Sequence, residues 1–425
     1  MASAPQVWGV MAVLDYLRTL ALKGEAKQDR IRVMIVGREN VGKTSLCQAL
    51  TALVNGRKTL RGQRRAPVAT DGVDIHTLID NEQHVSFSIW DLAGQELYQN
   101  THTLFLISQS VYVIAVNMNS PNDIANVEYW LELLQARAGT PPVLFVGTHA
   151  EIASSAQVEA FRKFHTRWSP RFPFCKASYP VSSVSGYGLR DFKNACVSVA
   201  REQNWIGGLI PVSYLALAAH LDGLRRNMRV PTLPLGRYTE IAVQLGLTQE
   251  GIGAATKYLV NTGHALYFGE LNPALREVLF LDPQWLPRVF ATIITMKQTL
   301  VQHGRLSPVG MRQVWQEPAF PPDTHEQLIS LFEEFDFFYR LPDSDVILVP
   351  ALLSPAPPPP EQSDALWPPA DVSTQVSRIV ELGFVPSGFI GRLLVSLLKA
   401  GWRILLAWRW GWYVLLMRCI LQHSV

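Results

Sequence analysis

The sequence predicts an α/β domain, a mostly parallel sheet with helices on both faces, followed by an α+β, winged-helix-like region. Three observations carry this. From residue 31, short β-branched runs alternate with segments of helical period, the pattern of βαβ units. A glycine-rich turn, Gly37–Thr44, joins the first such strand to the first such helix. After about residue 203 the chain turns to leucine-rich helices with brief β-like runs among them.

The 425 residues correspond to about three domains. Thirty-eight Lys and Arg against thirty-five Asp and Glu give a formal charge of +3, which excludes a nucleic-acid coat and a disordered acidic chain. The apolar fraction of 48% can fill sizeable cores, whereas the 17% charged fraction is low against a usual value of about 25%. Four scattered cysteines, Cys47, Cys175, Cys196 and Cys419, make neither a disulfide framework nor a zinc spacing, so a reducing, cytoplasmic setting is expected.

Taken in order, residues 1–27 predict an amphipathic helix, with Val10, Val13, Leu14, Leu17 and Leu20 at helical spacing. Asp15 and Arg18 interrupt what a secretory leader would keep apolar. Residues 28–203 form the α/β domain, with strands at IRVMIVG, Val85–Trp90, Val111–Asn117 and Val143–Thr148 and a helix in TSLCQALTALV. Residues 204–350 are mainly helical and mildly acidic, with β-like runs at Ala265–Gly269 and Val278–Asp282. Residues 351–375 read as a stiff, extended proline-rich linker, and residues 376–425 are basic and aromatic.

The chemistry concentrates in the α/β domain. Gly37 to Thr44 fits G-x-x-x-x-G-K-[ST] between a strand and a helix, the context in which backbone N–H groups and a helix N-terminus cradle phosphates. The cradle would run from Gly37 through Asn40, Val41 and Gly42 to Ser45, with Lys43 reaching the β- and γ-phosphates and Thr44 taking one Mg²⁺ position. Asp91-Leu-Ala-Gly94-Gln95 ends the next strand. There a carboxylate can serve Mg²⁺, Gly94 can sense the terminal phosphate and Gln95 can orient water. Thr70 stands where a mobile loop would bring a further hydroxyl to the metal. This set predicts a P-loop GTPase. For the base, Gly147-Thr148-His149-Ala150-Glu151 follows a buried strand, so Thr148, His149 and Glu151 are candidates, with Glu151 accepting from guanine N1–H and the exocyclic amine. Ser182 and Ser183 end a further strand and could cap the base.

These motifs and their spacing resemble the Roc GTPase domain of the Roco family, where most other GTPases carry [N/T]-K-x-D in place of THxE. The likeness continues through Ile210-Pro-Val-Ser-Tyr-Leu and VLFLDPQWLPRVFATIIT, which resemble the first half of the COR domain. GFVPSGFIGRLL and Trp408-Arg-Trp-Gly-Trp-Tyr-Val414 resemble parts of its second half. The resemblance implies a GTP/GDP- and Mg²⁺-binding switch with slow hydrolysis, protein effectors and a homodimer through COR. A COR second half cut short would weaken that dimer. Relatives carry leucine-rich repeats or a kinase; no kinase Gly-rich loop, HRD or DFG is present here, so no kinase activity is expected. A nucleotide-dependent scaffold with little turnover, or a fragment of a longer Roco kinase, is the alternative.

Three further features weigh less. The winged-helix-like segment at 237–268 could suggest DNA, but the acidic balance of its surroundings opposes a phosphate-binding face. Arg57, Lys58, Arg61, Arg64 and Arg65 form a basic loop that could offer a cation to a nucleotide. The tail from Phe389 is interrupted by Arg392, Lys399, Arg403, Arg409 and Arg418, short of the ~18 uncharged residues a membrane span needs. Its tryptophans Trp402, Trp408, Trp410 and Trp412 are expected to form an uncovered aromatic edge, with membrane contact as the lesser reading.

Overall fold

The structure is a computed structural model and describes residues 10–56, 70, 72–95, 101–203, 205–270, 275–294, 300–316, 320–342, 344–366, 381–382, 384–416 and 419–424. It divides into two compact units, Met1–Phe290 and Ala291–Val425. The division does not fall near residue 203, because the helices that follow pack directly onto the sheet of the α/β domain. The basic loop at 57–65 lies outside the described residues.

The first unit opens with α1 (Val10–Lys23) and β1 (Glu25–Lys27), followed by the central strand β2 (Arg30–Val36) and α2 (Lys43–Val54). Next come β3 (Val73–Asp80), β4 (Val85–Leu92), β5 (Val111–Asn117), α3 (Pro121–Ala125), α4 (Val127–Ala138) and β6 (Val143–Thr148). The α/β domain closes with α5 (Ser155–Arg162), β7 (Cys175–Pro180) and α6 (Leu189–Glu202). Six strands form one sheet in the order β3-β4-β2-β5-β6-β7. All pairings are parallel except β3 with β4. The apolar runs of β5 and β6, and of β2 apart from Arg30 and Arg32, suit strands covered on both faces. Leu46 and Leu50 of α2 and Phe192, Cys196 and Val199 of α6 fill the core with Val33, Ile35, Val113 and Val146. Trp130, Leu131 and Leu134 of α4 are also buried. At α5, Ser154 and Gln157 close a reciprocal cap. The sequence pattern assigned no strand to β3, whose half-exposed polar positions blur the alternation of an edge strand.

The unit continues with β8 (Leu209–Pro211), α7 (Val212–Arg225), β9 (Thr232–Pro234), α8 (Leu235–Gln244), α9 (Gln249–Thr262) and β10 (Val278–Phe280). β8 returns to pair with β1. Helix, short strand, two helices and an antiparallel β9–β10 pair reproduce the expected winged-helix-like order. Its core gathers Tyr214, Leu217, Leu221, Tyr238, Ile241 and Leu259, with a 2.9 Å bond between the Tyr238 and Thr256 hydroxyls. The expected strand at Ala265–Gly269 contracts to one bridge, Leu266 with Phe280, because the chain turns at Gly269. α10 (Trp285–Ile293) spans the boundary of the two units.

The second unit holds a four-stranded antiparallel sheet, ordered β11 (Val301–Gln302), β12 (Arg305–Leu306), β14 (Ile347–Leu348), β13 (Tyr339–Arg340). It also holds α11 (Pro308–Val314), α12 (His325–Glu334), α13 (Pro360–Leu366) and α14 (Phe389–Lys399). A three-stranded meander, β15 (Arg403–Trp408), β16 (Gly411–Leu416) and β17 (Cys419–Ser424), completes it. The described part of the proline-rich segment is not extended: a 3₁₀ turn at Pro350–Leu352 and α13 occupy it, and Leu353 is buried. Nor is the aromatic edge bare. Trp412 is buried with Leu394, Leu398 and Val414 around it, Trp408 is buried as well, and of the four tryptophans Trp410 alone is exposed, at 46%. Among the described residues no helix is long and apolar enough to cross a membrane.

Candidate nucleotide-binding site

The site lies where β2, β4 and β6 end. Gly42 caps α2 in the left-handed region, and Asn40 shares that sign of φ, so the loop curls back over the helix N-terminus. Lys43 is buried, and its Nζ donates to Gly37 O at 2.9 Å and Arg38 O at 2.6 Å. Burial lowers its pKa to about 8, partly offset by the Asp91 charge. An ammonium held in a loop of backbone dipoles is a pre-set counter-charge for phosphate.

Beside it three oxygens converge. Thr44 Oγ1 donates to Asp91 Oδ2 at 2.6 Å, Thr70 Oγ1 lies 2.9 Å from Thr44 Oγ1, and Thr70 Oγ1 donates to Asp91 Oδ2 at 3.3 Å. Asp91 is fully buried, and its other oxygen, Oδ1, makes no hydrogen bond. Burial raises the Asp91 pKa, while the Thr44 bond and Lys43 pull it down and the Asp74 charge adds to the rise. An orphaned carboxylate oxygen flanked by two hydroxyls is a hard, oxygen-only donor set, which fits Mg²⁺. Gly94 must be glycine for space: a Cβ there would stand 2.2 Å from Glu39 N, so the Asp91–Gln95 segment lies directly on the phosphate loop. Gln95 is half-buried beside it.

The base side is built differently. Thr148 is buried, and its hydroxyl donates to Val41 O at 2.6 Å and Val116 O at 3.3 Å. That hydroxyl therefore braces the phosphate loop. His149 takes a positive φ, and its Nδ1 lies 3.6 Å from Glu151 Oε1, both side chains being about one-third exposed. Val181 N donates to Gly147 O and Ala150 N to Val181 O, bringing the Ser182–Ser183 turn alongside. Ser182 is fully buried, its Oγ accepting from Ser185 N, and Ser183 is half-buried.

Sequence reasoning missed several neighbours. Arg32 sits buried in β2, its guanidinium 3.6 Å from the Trp90 ring centre, donating to Phe105 O and Val260 O, both at 3.1 Å. Burial lowers its pKa to about 9. A charge inside an apolar central strand was the available signal. His102 is fully buried, and burial together with the Lys43 charge lowers its pKa to about 3. Asp74 accepts from Gln284 Nε2 at 2.9 Å.

This fold and loop define a P-loop GTPase domain followed by a helical module, and comparison with known proteins agrees. Residues 32–151 match the family described as Ras of Complex, Roc, domain of DAPkinase, and residues 211–353 match the C-terminal of Roc, COR-A domain. The chain belongs to the Roco family, with a Roc domain followed by COR. It is 32% identical over 423 residues to the probable serine/threonine-protein kinase pats1 of Dictyostelium discoideum, covering 92% of this chain and 13% of that protein. With the probable kinase roco5 of the same organism identity is 31%, covering 82% of this chain and 14% of that protein. Mouse leucine-rich repeat serine/threonine-protein kinase 1 is 25% identical, over 92% and 21% respectively. The chain thus spans about one-seventh of the Dictyostelium relatives it matches. Among solved structures, GDP-bound Roco2 RocCORdC of Methanosarcina barkeri shares the fold, with a TM-score of 0.61 and 19% identity, covering 78% of this chain and 98% of that one.

Proposed function

We propose that this chain binds GTP and GDP with Mg²⁺, hydrolyses GTP slowly, and works as an intracellular signalling switch. The observation that carries the reading is the convergence of Thr44, Thr70 and Asp91 beside the buried Lys43 ammonium. Thr44, Thr70 and Asp91 would hold Mg²⁺, which when bound neutralises phosphate charge. Gly37, Asn40, Val41, Gly42 and Ser45 offer the loop whose N–H groups face phosphate oxygens. Lys43 exchanges its two carbonyl partners for phosphate oxygens and stays protonated beside them. Gly94 brings its segment to the terminal phosphate, and the Gln95 amide orients a water in line with the γ-phosphorus. Water adds as the bridging oxygen leaves, giving GDP and inorganic phosphate. Catalysis here is positioning and charge, which Lys43, Thr70 and Gln95 supply.

On the base side Glu151 accepts from the guanine edge, His149 flanks it and the Ser182–Ser183 turn closes over it, while Thr148 steadies the loop. Guanine is favoured because a carboxylate accepts from N1–H and the exocyclic amine, donors that adenine does not present together. The GDP in the Methanosarcina neighbour supports the same choice. Protein effectors and a COR-mediated homodimer are the partners this family membership suggests. Multiple-turnover phosphate release from GTP tests the reading: release above a Lys43→Ala control supports it. GTP binding without such release would leave a nucleotide-dependent scaffold.

A further inference from the structure

The COR-A segment reaches into the metal side of the site. β3 and β4 pair antiparallel with Asp74 directly opposite Asp91, so the two carboxylates share one face of the sheet. Asp74 also lies four residues after Thr70. It is held from outside the GTPase motifs: Gln284 Nε2 donates to Asp74 Oδ1 at 2.9 Å. Gln284 is itself fixed, since its backbone N–H donates to Asp282 Oδ1 at 3.0 Å just before α10. A second close approach, from the first turn of α10, lies beside it. Gly72 has φ +78°, and a Cβ there would come within 2.9 Å of Pro287 O. Gly72 O in turn accepts from Ala93 N at 2.9 Å, two residues after Asp91. The turn at 282–284 and the first turn of α10 therefore meet the chain between Thr70 and Asp91 at Asp74 and Gly72, on either side of Val73.

We infer that Gln284 is a positioning residue for the Mg²⁺ side of the nucleotide site: by engaging Asp74 it keeps Thr70 and Asp91 converged on Thr44, making COR-A part of the Roc metal site. This rests on the proposed Mg²⁺-dependent nucleotide binding. The amide is suited to the task. It satisfies the Asp74 oxygen without adding charge, whereas a carboxylate at 284 would put a third negative group beside Asp74 and Asp91.

The test uses the whole chain and a fluorescent GDP. In Gln284→Glu, the Mg²⁺ concentration that half-saturates nucleotide binding rises about tenfold, as expected for losing a hydrogen bond to a charged group and gaining repulsion. GDP release quickens by a similar factor in Mg²⁺ yet matches the unmodified chain in EDTA, which a general loss of folding would not produce. Exchange of the Ala93 amide also quickens in the nucleotide-free chain. Adding Asp74→Asn to Gln284→Glu restores the bond with donor and acceptor reversed, and the Mg²⁺ requirement returns to within about twofold. Gln284→Leu, without a charge, gives an intermediate shift. If Gln284→Glu binds GDP with an unaltered Mg²⁺ requirement, the inference falls while the nucleotide reading stands. If its defect is equal with and without Mg²⁺, or the double variant shows no rescue, the inference also falls. Failure of the unmodified chain to bind GDP would instead overturn the nucleotide reading.

Discussion

The two ends of the nucleotide site are built to different tolerances. On the phosphate side Lys43, Asp91 and Thr148 are buried, and hydrogen bonds of 2.6–3.3 Å join Lys43, Thr44, Thr70, Asp91 and Thr148 to one another or to the loop. On the base side the His149–Glu151 pair is about one-third exposed and separated by 3.6 Å. Charge on phosphate demands fixed, desolvated partners, because a buried counter-charge is strong only where water is excluded. In the proposed reading Glu151 contacts the base from a partly solvated position, where each contact weighs less. Affinity should therefore reside mainly with the phosphates and selectivity with the base.

Perturbations of the phosphate side should be the largest. Lys43→Ala removes the buried ammonium there, and GTP affinity measured by calorimetry should fall about 100-fold or more. Asp91→Asn should come next: GTP affinity should lose most of its dependence on Mg²⁺ and fall about tenfold at saturating Mg²⁺. The Lys43 pKa of about 8 gives a pH signature as well. Phosphate binding favours the protonated amine, so affinity should be constant below about pH 8. It should then fall by up to tenfold per unit above it, until the higher pKa of the bound state is reached. Gln95→Leu should leave GTP affinity within about twofold but slow single-turnover hydrolysis by about tenfold or more. Glu151→Asp should be the mildest, shifting the GTP-over-ATP preference by less than about tenfold. An effect there larger than that of Lys43→Ala would reverse the proposed division of labour.

Stability offers an independent check on the buried neighbours. His102 has a folded pKa near 3, below its unfolded value of 6.5. The unfolded chain binds the extra proton, so stability is full above about pH 6.5 and is lost as pH falls toward 3. His102→Gln should flatten the acid limb of a urea-denaturation midpoint plotted against pH.

What could be read from the sequence followed how local each feature is. Gly37–Thr44 and Asp91–Gln95 declare themselves because their spacing alone fixes a strand, a turn and the chemistry on it. Strands β5 and β6 were legible to the residue, since buried parallel strands are unbroken apolar runs. β3 was not, because one half-exposed edge strand carries no clean alternation. The bond from Thr148 to the phosphate loop was not legible because its partner, Val41 O, is a carbonyl 107 residues away. Arg32 with Val260, and Gln284 with Asp74, are 228 and 210 residues apart, and no short motif encodes such pairs. The tail was expected to be bare because its covering groups, Leu394 and Leu398, belong to a helix that the sequence reading did not assign.

Nucleotide choice tests the guanine-binding site most directly. Calorimetric titration of the whole chain in Mg²⁺ with GTP and with ATP should give binding at least about tenfold tighter for GTP, the discrimination one charged hydrogen-bonded contact supplies. Both should be lost in Lys43→Ala. Equal or tighter binding of ATP, or GTP binding that survives Lys43→Ala unchanged, would contradict a guanine-binding site there.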